Sequence, residues 1–310
     1  MPIPTKNRIV IAGGSGFLGM KLREMFQAQG KEVRILSRSR QEGEYLPWDG
    51  KTLGAWAEAL NGAEALINMA GRTVNCRYTA KNKAEILDSR IDSTRVLGEA
   101  VAACQRPPRV WLNSSTATIY DDTRGDLPAN TEAKGKIGDD FSMGVAKAWE
   151  EEFFRHDLPD TVRTALRSAI IMGAEGGAFP VTARLAKKGL CSKQGPGDQW
   201  ISWMHIDDFC ASVDFLLKNP QAGPINLCAP HPIRNAEYNH LLKAQAKPLI
   251  VLPQPKWVLE LGAVLIQTQT ELILKSRKVY PERLLEAGFR FKYERADKMV
   301  ADLFPAVFVG

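Results

Sequence analysis

The sequence predicts a doubly wound α/β fold: a parallel sheet of about seven strands with helices on both faces, and a smaller, mostly helical C-terminal domain. Two observations carry that expectation. From Arg8 to Ala229, short apolar runs ending in small or polar residues alternate with stretches of helical period. The first run, Ile9, Val10, Ile11 and Ala12, feeds a turn holding Gly13, Gly16 and Gly19 in the spacing G-x-x-G-x-x-G. A helical pattern follows at once, with Leu18, Leu22, Met25 and Phe26 on one face and Gly30 at its stop. Glycines let the backbone turn sharply and admit a pyrophosphate where a Cβ would stand. The first helical N–H groups and the positive end of the helix dipole then hold the phosphates. Strand, glycine turn and helix in that order are the context in which such spacing means a Rossmann-type dinucleotide site.

Composition narrows the class. The 310 residues are long enough for one large α/β domain plus a smaller one, and 45% apolar with 25% charged content is ordinary for a globular chain. No apolar run is long enough to span a bilayer, and the start runs straight into the first strand without a secretory pattern. The five cysteines, Cys76, Cys104, Cys191, Cys210 and Cys228, are scattered and lack metal-type spacing. These features point to reduced thiols, a cytoplasmic protein and no metal. The net charge of +6 is not gathered into a basic run, which argues against a nucleic-acid partner.

Along the chain, Glu32–Ser37 reads as the second strand. Sites that take NAD usually close this strand with an acidic residue for the ribose hydroxyls. Here it ends in Ser37 and Arg38, with Arg40 close by. A guanidinium pairs with a 2′-phosphate that a carboxylate would repel, so the charge logic selects NADP(H). A 53–60 helix, a buried strand over Ala65–Gly71 with its small-residue turn Met69-Ala70-Gly71, and a long helix from Lys81 to Cys104 come next. Arg90 on that helix is either a phosphate ligand or an ordinary surface cation. A strand over 109–113 runs into the hydroxyl cluster from Ser114 to Thr118 and then Tyr120, followed by an irregular loop from Asp121 to Asp140 and a helix over 141–155. Val162–Met172 reads as one strand, Val181–Leu190 as a helix, Gly195–Trp203 as a loop, Ile206–Lys218 as a helix and Pro224–Ala229 as a strand. Asp207 and Asp208 suit the first helical turn and point apart, so they read as capping and packing. Near the end, helical stretches lie around Trp257–Gln267 and Pro281–Ala287. These boundaries divide the chain into a nucleotide-binding domain, 1–172 with 204–229, and a substrate-side domain, 173–203 with 230–310.

Taken together, GGSGFLG, NMAG, SSTATIY, the Lys147 helix, LRSAIIMG and WMHIDDF resemble the extended short-chain dehydrogenase/reductases. INMAG, LDSR, WISWMHIDDF, INLCAPHPIRNAEY and RLLEAGFRF narrow the resemblance to an atypical branch labelled "epimerase family protein". That branch is similar to nucleotide-sugar epimerases and has its own C-terminal domain of unknown function. The resemblance implies that Gly13, Ser15, Gly16, Phe17, Leu18 and Gly19 wrap the pyrophosphate, and that Ser37 and Arg38 hold the 2′-phosphate. It places Met69, Ala70 and Gly71 along the adenosine side and adds Glu85, Arg90, Lys147 and Ile171 to the NADP contacts. Homodimers formed through two helices are common in similar proteins.

Active members of the wider superfamily use Tyr-x-x-x-Lys, the Tyr exchanging a proton with a substrate oxygen and the Lys lowering its pKa. Lys147 is the lysine here, but four residues earlier stands Met143, which can exchange no proton. Thr116 fills the place of the usual Ser. Tyr120, on the loop after the fifth strand, and Tyr78, after the NMAG turn, are the phenols that could substitute as proton donor, though each reads more readily as a packing residue. Two functions stay open: an NADP(H)-dependent oxidoreductase or epimerase-like enzyme acting on a small hydroxy or carbonyl compound, and a non-catalytic NADP(H) sensor.

Overall fold

The computed structural model describes residues 7–39, 42–190, 196–248 and 275–309. Its centre is a seven-stranded, all-parallel sheet. In chain order its strands are β1 (Arg8–Ala12), β2 (Glu32–Ser37), β3 (Tyr45–Pro47), β4 (Ala65–Asn68), β5 (Val110–Thr116), β6 (Val162–Ser168) and, after further elements, β10 (Gly223–Leu227). Across the sheet they lie in the order β10-β6-β5-β4-β1-β2-β3. The central strands are buried on both sides, which is why they read as apolar runs rather than alternating ones.

Two apolar layers clamp the sheet. On one face α1 (Phe17–Ala28) and α5 (Ile206–Lys218) bring Leu22, Phe26, Phe209, Val213 and Leu216 against Ile9, Ile11 and Ile67. On the other, α2 (Ala80–Ala102), α3 (Phe141–Arg155) and a 3₁₀ turn (Ala55–Leu60) bring Val96, Leu97, Phe153, Trp56 and Leu60 against Val10, Leu66 and Trp111. A further core joins α4 (Phe179–Lys187), α6 (Asn235–Ala246) and α8 (Ala296–Ala306) around Phe179, Tyr238, Leu242, Met299 and Phe304.

Several local expectations are corrected. The run from Val162 to Met172 breaks at Ala169: β6 stays in the sheet, while β7 (Ile170–Met172) leaves it and pairs in parallel with β9 (Trp203–His205). The loop expected over Gly195–Trp203 contains β8 (Trp200–Ile201), which pairs antiparallel with β11 (Ile233–Arg234). The hydroxyls of Ser114, Ser115 and Thr116 lie within β5, not beyond it. The β3 strand and the helices α6 and α8 were not anticipated. The spacing of Asn235, Tyr238, Leu242 and Ala246, all buried, is the helical signal that marks α6. The helix expected around Trp257–Gln267, and Arg40, lie outside the described residues. The helix α7 (Glu282–Glu286) follows Pro281 and stops at Gly288, whose φ is +94°.

The start of α5 anchors the C-terminal segment. His205 caps it, Nδ1 accepting from the Asp207 N–H at 3.0 Å, while Nε2 faces the Asp302 carboxylate at 3.2 Å. The Tyr293 ring stacks on the imidazole with centroids 3.8 Å apart, and Asp208 accepts from the backbone N–H groups of Lys292 and Tyr293 at 2.8 and 2.9 Å. The aspartate pair therefore packs and caps. Burial holds the His205 imidazole below its ordinary 6.5, against the pull of Asp207, Asp302 and Asp208. The folded state binds that proton more weakly than the unfolded chain, so this stability is present above pH 6.5 and is lost as pH falls. The thermal midpoint, followed by circular dichroism, is expected to fall by a few degrees from about pH 7 to about pH 5.5, and His205→Asn to flatten that decline.

Candidate nucleotide and substrate site

The glycine turn sits at the C-terminal edge of β1, between β2 and β4. Gly13 adopts φ +71°, donates its N–H to the Leu36 carbonyl at 3.2 Å, and lies so close to the next turn that a Cβ there would stand 2.7 Å from the Ala70 backbone. A Cβ on Gly19 would stand 2.4 Å from Gly14 Cα, so that glycine seats α1 against the turn. Gly16 differs. It is exposed, and its added Cβ would meet only the Gly13 carbonyl oxygen, at 3.8 Å. It caps α1 without a side-chain hydrogen bond, and no acidic residue occupies the first turn. The uncapped N–H groups of a twelve-residue helix thus open onto free space beside Gly16 and the exposed Ser15, which fits a pyrophosphate.

Three further groups border this crook. Met69, Ala70 and Gly71 form the turn after β4; the Met69 N–H donates to the Ala12 carbonyl at 2.8 Å and its sulfur accepts from the Ser114 hydroxyl at 3.0 Å. Asn68 holds the turn from below, accepting from the Ala70 N–H at 3.0 Å and donating to Asn113 at 2.7 Å. Arg90 lies beside Gly71, where an added Cβ would touch its guanidinium carbon at 3.2 Å. It donates to the carbonyls of Ile86 (2.9 Å) and Arg72 (3.1 Å) and lies over the Trp149 ring at 5.0 Å. No carboxylate among the described residues lies within 4.0 Å of it, and burial pushes it down to about 10 against the pull of Tyr78. A half-buried cation without a carboxylate partner is the arrangement an anion completes.

The remaining cofactor candidates occupy mixed positions. Ser37 is buried at the end of β2, and its hydroxyl accepts from the Ser39 N–H at 3.3 Å. Arg38 is exposed beyond it, with no carboxylate within ion-pair distance among the described residues. Glu85 on α2 pairs with Arg72. Ile171 is buried in the core on β7. Phe17 and Leu18 are partly buried on the first turn of α1, and the Phe17 ring is walled by Gly173 and Gly176, where added Cβ atoms would stand 2.5 Å from it.

The catalytic candidates do not gather. Tyr120 is fully buried; its phenol donates to Asn226 Oδ1 at 2.8 Å and accepts from Arg167 at 3.0 Å. Burial raises its pKa. Both sides of the Tyr120 hydroxyl are thus engaged inside the protein. Lys147 is exposed on α3 and pairs with Asp139 at 2.5 Å rather than reaching Thr116. The Thr116 hydroxyl accepts from the Thr118 N–H at 3.1 Å. Tyr78 packs edge-on against Phe141, centroids 5.2 Å apart. Met143 is 3% exposed, and its sulfur completes a capping box with Asp140. Polar residues that the sequence reading passed over organise this end of the sheet. Glu150 accepts from Ser115 at 2.5 Å and takes the Arg167 guanidinium through two bonds, at 2.8 and 2.7 Å. Arg167 is a charged side chain buried within β6, a place that demands a partner such as Glu150.

Next to Met143 opens a cavity of about 420 Å³, bordered by Asp121, Asp122, Arg124, Asp139 and Asp140, with Lys275 across it. Among the described residues no helix is long and apolar enough to cross a membrane, and no cluster of histidine, cysteine and carboxylate side chains suits a metal ion.

Comparison with known proteins places this geometry. The family model described as "NAD dependent epimerase/dehydratase family" matches residues 9–228. The chain belongs to that family. A second model, a domain of unknown function named DUF1731, matches residues 254–303. Over the whole length the chain resembles the epimerase family protein YfhF of Bacillus subtilis, 29% identical over 95% of this chain and 97% of that one. It is also 31% identical to the epimerase family protein SAR0825 of Staphylococcus aureus, over 95% and 98%. Its structure superimposes on that of the human epimerase family protein SDR39U1 with NADPH at a TM-score of 0.85, 26% identity and coverage of 96% and 99%. The nucleoside-diphosphate sugar epimerase of Corynebacterium glutamicum gives 0.78 at 26% identity, covering 96% of this chain and 58% of that one. The resemblance to the atypical epimerase branch and the Rossmann-type architecture both stand.

Proposed function

We propose that this epimerase family member binds NADP(H) and acts as an oxidoreductase or epimerase-like enzyme on a small hydroxy or carbonyl compound. The observation that carries the cofactor is the uncapped N-terminus of α1 opening at Gly16; the Arg90 guanidinium, without a carboxylate partner beside Gly71, supports it. NADPH in the human relative supports the same reading. Gly13, Ser15, Gly16, Phe17, Leu18 and Gly19 would hold the pyrophosphate through backbone N–H groups. Ser37 and Arg38 would take the 2′-phosphate, Met69, Ala70 and Gly71 the adenosine side, and Arg90 a phosphate. Glu85 and the backbone of Ile171 would line the remainder, and Lys147 would have to leave Asp139 to join them. The dihydronicotinamide, when bound, supplies hydride; the protein supplies orientation, charge and the proton.

Arg38→Ala tests the phosphate assignment. Loss of one charge-assisted contact, about 1.5–3 kcal/mol, is expected to weaken NADPH binding roughly 10- to 100-fold and leave NADH binding nearly unchanged in calorimetry. Equal losses for both nucleotides would remove the 2′-phosphate role. A second reading, a non-catalytic NADP(H) sensor, is favoured by the buried thioether of Met143 and the spent phenol of Tyr120. Turnover of NADPH with any carbonyl compound separates the two.

A further inference from the structure

The proton donor missing at Met143 is supplied from another part of the chain: we propose that Lys275 is the acid–base residue for a neutral, hydroxylated carbonyl substrate seated in the cavity beside α3. This rests on the NADP(H)-dependent reading above. Lys275 borders the same cavity as Met143 and pairs with Asp140, the residue that caps α3 by accepting from the Met143 N–H at 2.9 Å. Its ammonium therefore stands at the N-terminal turn of α3, the turn that carries Met143, where the Tyr-x-x-x-Lys spacing would put a tyrosine. The segment that carries it is fixed. Ser276 N–H donates to Asp122 at 2.5 Å, Ser276 accepts through its hydroxyl from the Trp200 N–H at 2.8 Å, and the Lys278 and Tyr280 backbones bond Asn130 at 2.7 and 2.9 Å. A donor on a pinned segment can be aimed.

The charges around it set both its readiness and its substrate. Asp121, Asp122 and Arg124 face it from the loop after β5, Asp139 and Asp140 from the start of α3, and Arg277 from its own segment. Burial and the Arg277 guanidinium push the Lys275 ammonium down to about 8, with Asp122 and Asp121 pulling the other way. Carboxylates outnumber cations along the wall, so a phosphate or carboxylate on the substrate is repelled, while hydroxyl groups find acceptors. A bound dihydronicotinamide would supply the hydride that bonds to the carbonyl carbon as the C=O π bond opens. The carbonyl oxygen would take its proton from the Lys275 ammonium, giving an alcohol and a neutral amine that water reprotonates.

The test uses the full chain with NADPH and a panel of phosphate-free hydroxylated aldehydes and ketones. Lys275→Met and Lys275→Arg are both expected to bind NADPH within twofold of the parent by calorimetry and to oxidise it at least 100-fold more slowly, a loss in kcat rather than KM. Arginine keeps the charge and the pairing with Asp140 but cannot release a proton, so a structural role would survive that change and an acid–base role would not. Independently of turnover, trinitrobenzenesulfonate labelling read by peptide mass spectrometry should show Lys275 reacting with a midpoint near pH 8, below that of the exposed lysines. Parent-like rates in Lys275→Arg, a labelling midpoint shared with the exposed lysines, or NADPH-bound parent protein that reduces no member of the panel would each overturn the assignment. Failure of the parent chain to bind NADPH would instead bring down the cofactor reading on which it rests.

Discussion

Valine at Gly16 is expected to abolish NADP(H) binding while the fold stays intact. Its side chain would grow into the open space in front of the α1 N–H groups, where nothing but the Gly13 carbonyl oxygen stands within 4 Å. Each charge-assisted hydrogen bond it displaces is worth about 1.5–3 kcal/mol, so losing two lowers affinity by two orders of magnitude or more. The thermal midpoint should move by only a few degrees, since φ at Gly16 is −82° and suits any residue. Gly13→Ala is the contrasting variant. It sets a Cβ 2.7 Å from the Ala70 backbone at a φ of +71°. Overpacking of about 1–3 kcal/mol adds to a left-handed penalty of about 1–2 kcal/mol, and urea denaturation should show the sum. Calorimetry that finds Gly16→Val binding NADPH like the parent would remove the phosphate site. A Gly16→Val protein as unstable as Gly13→Ala would show that the space in front of Gly16 is structural.

Arg167→Met is expected to be the most destabilising single change considered. It strips Glu150 of both guanidinium bonds and leaves it only the Ser115 hydroxyl, leaves Tyr120 without its donor, and strands a carboxylate that is 11% exposed. Breaking one partner of such a pair costs about 3–5 kcal/mol, because the survivor keeps its desolvation without its compensation. Removing the second charge as well, in Arg167→Met with Glu150→Gln, should recover a large share of that loss. A double variant as unstable as the single one, by urea denaturation, would mean that packing around the guanidinium, and not the stranded charge, sets the cost.

The parts legible in the sequence are those whose local signal and tertiary role coincide. β1, the glycine turn and α1 announce themselves because one segment both turns the chain and seals the core with Leu22 and Phe26. α3 and α5 were bounded correctly, since Asp140 and His205 cap where their side chains can accept from the first turn. β7 was misread because Ile170 to Met172 continues the apolar run of β6, and only a partner 33 residues away in register, Trp203 to His205, pulls it off the sheet. The surroundings of the proton-donor candidates are hidden from the sequence for a similar reason. Tyr120 follows a strand in a position that looks open, yet Asn226 and Arg167, distant in sequence, close over it. Lys147 has the right spacing from a missing tyrosine, but spacing along a helix does not say which way the ammonium leans, and Asp139 draws it outward. Arg90 and Glu150 depend on long-range geometry for their meaning, which no single window of sequence contains.

The edge strand β10 does more than finish the sheet. Its Pro224 and the preceding Ala222 offer carbonyls to Arg283, and its Asn226 is gripped by Glu132 on one side and the Tyr280 carbonyl on the other. Glu132 is itself half-buried, and that burial raises its pKa. A protein cut after Ala229 would therefore be no free-standing module. It would carry a raw margin of frustrated donors and carboxylates where the tail of the chain had been stitched, and it should precipitate or be digested where the parent endures.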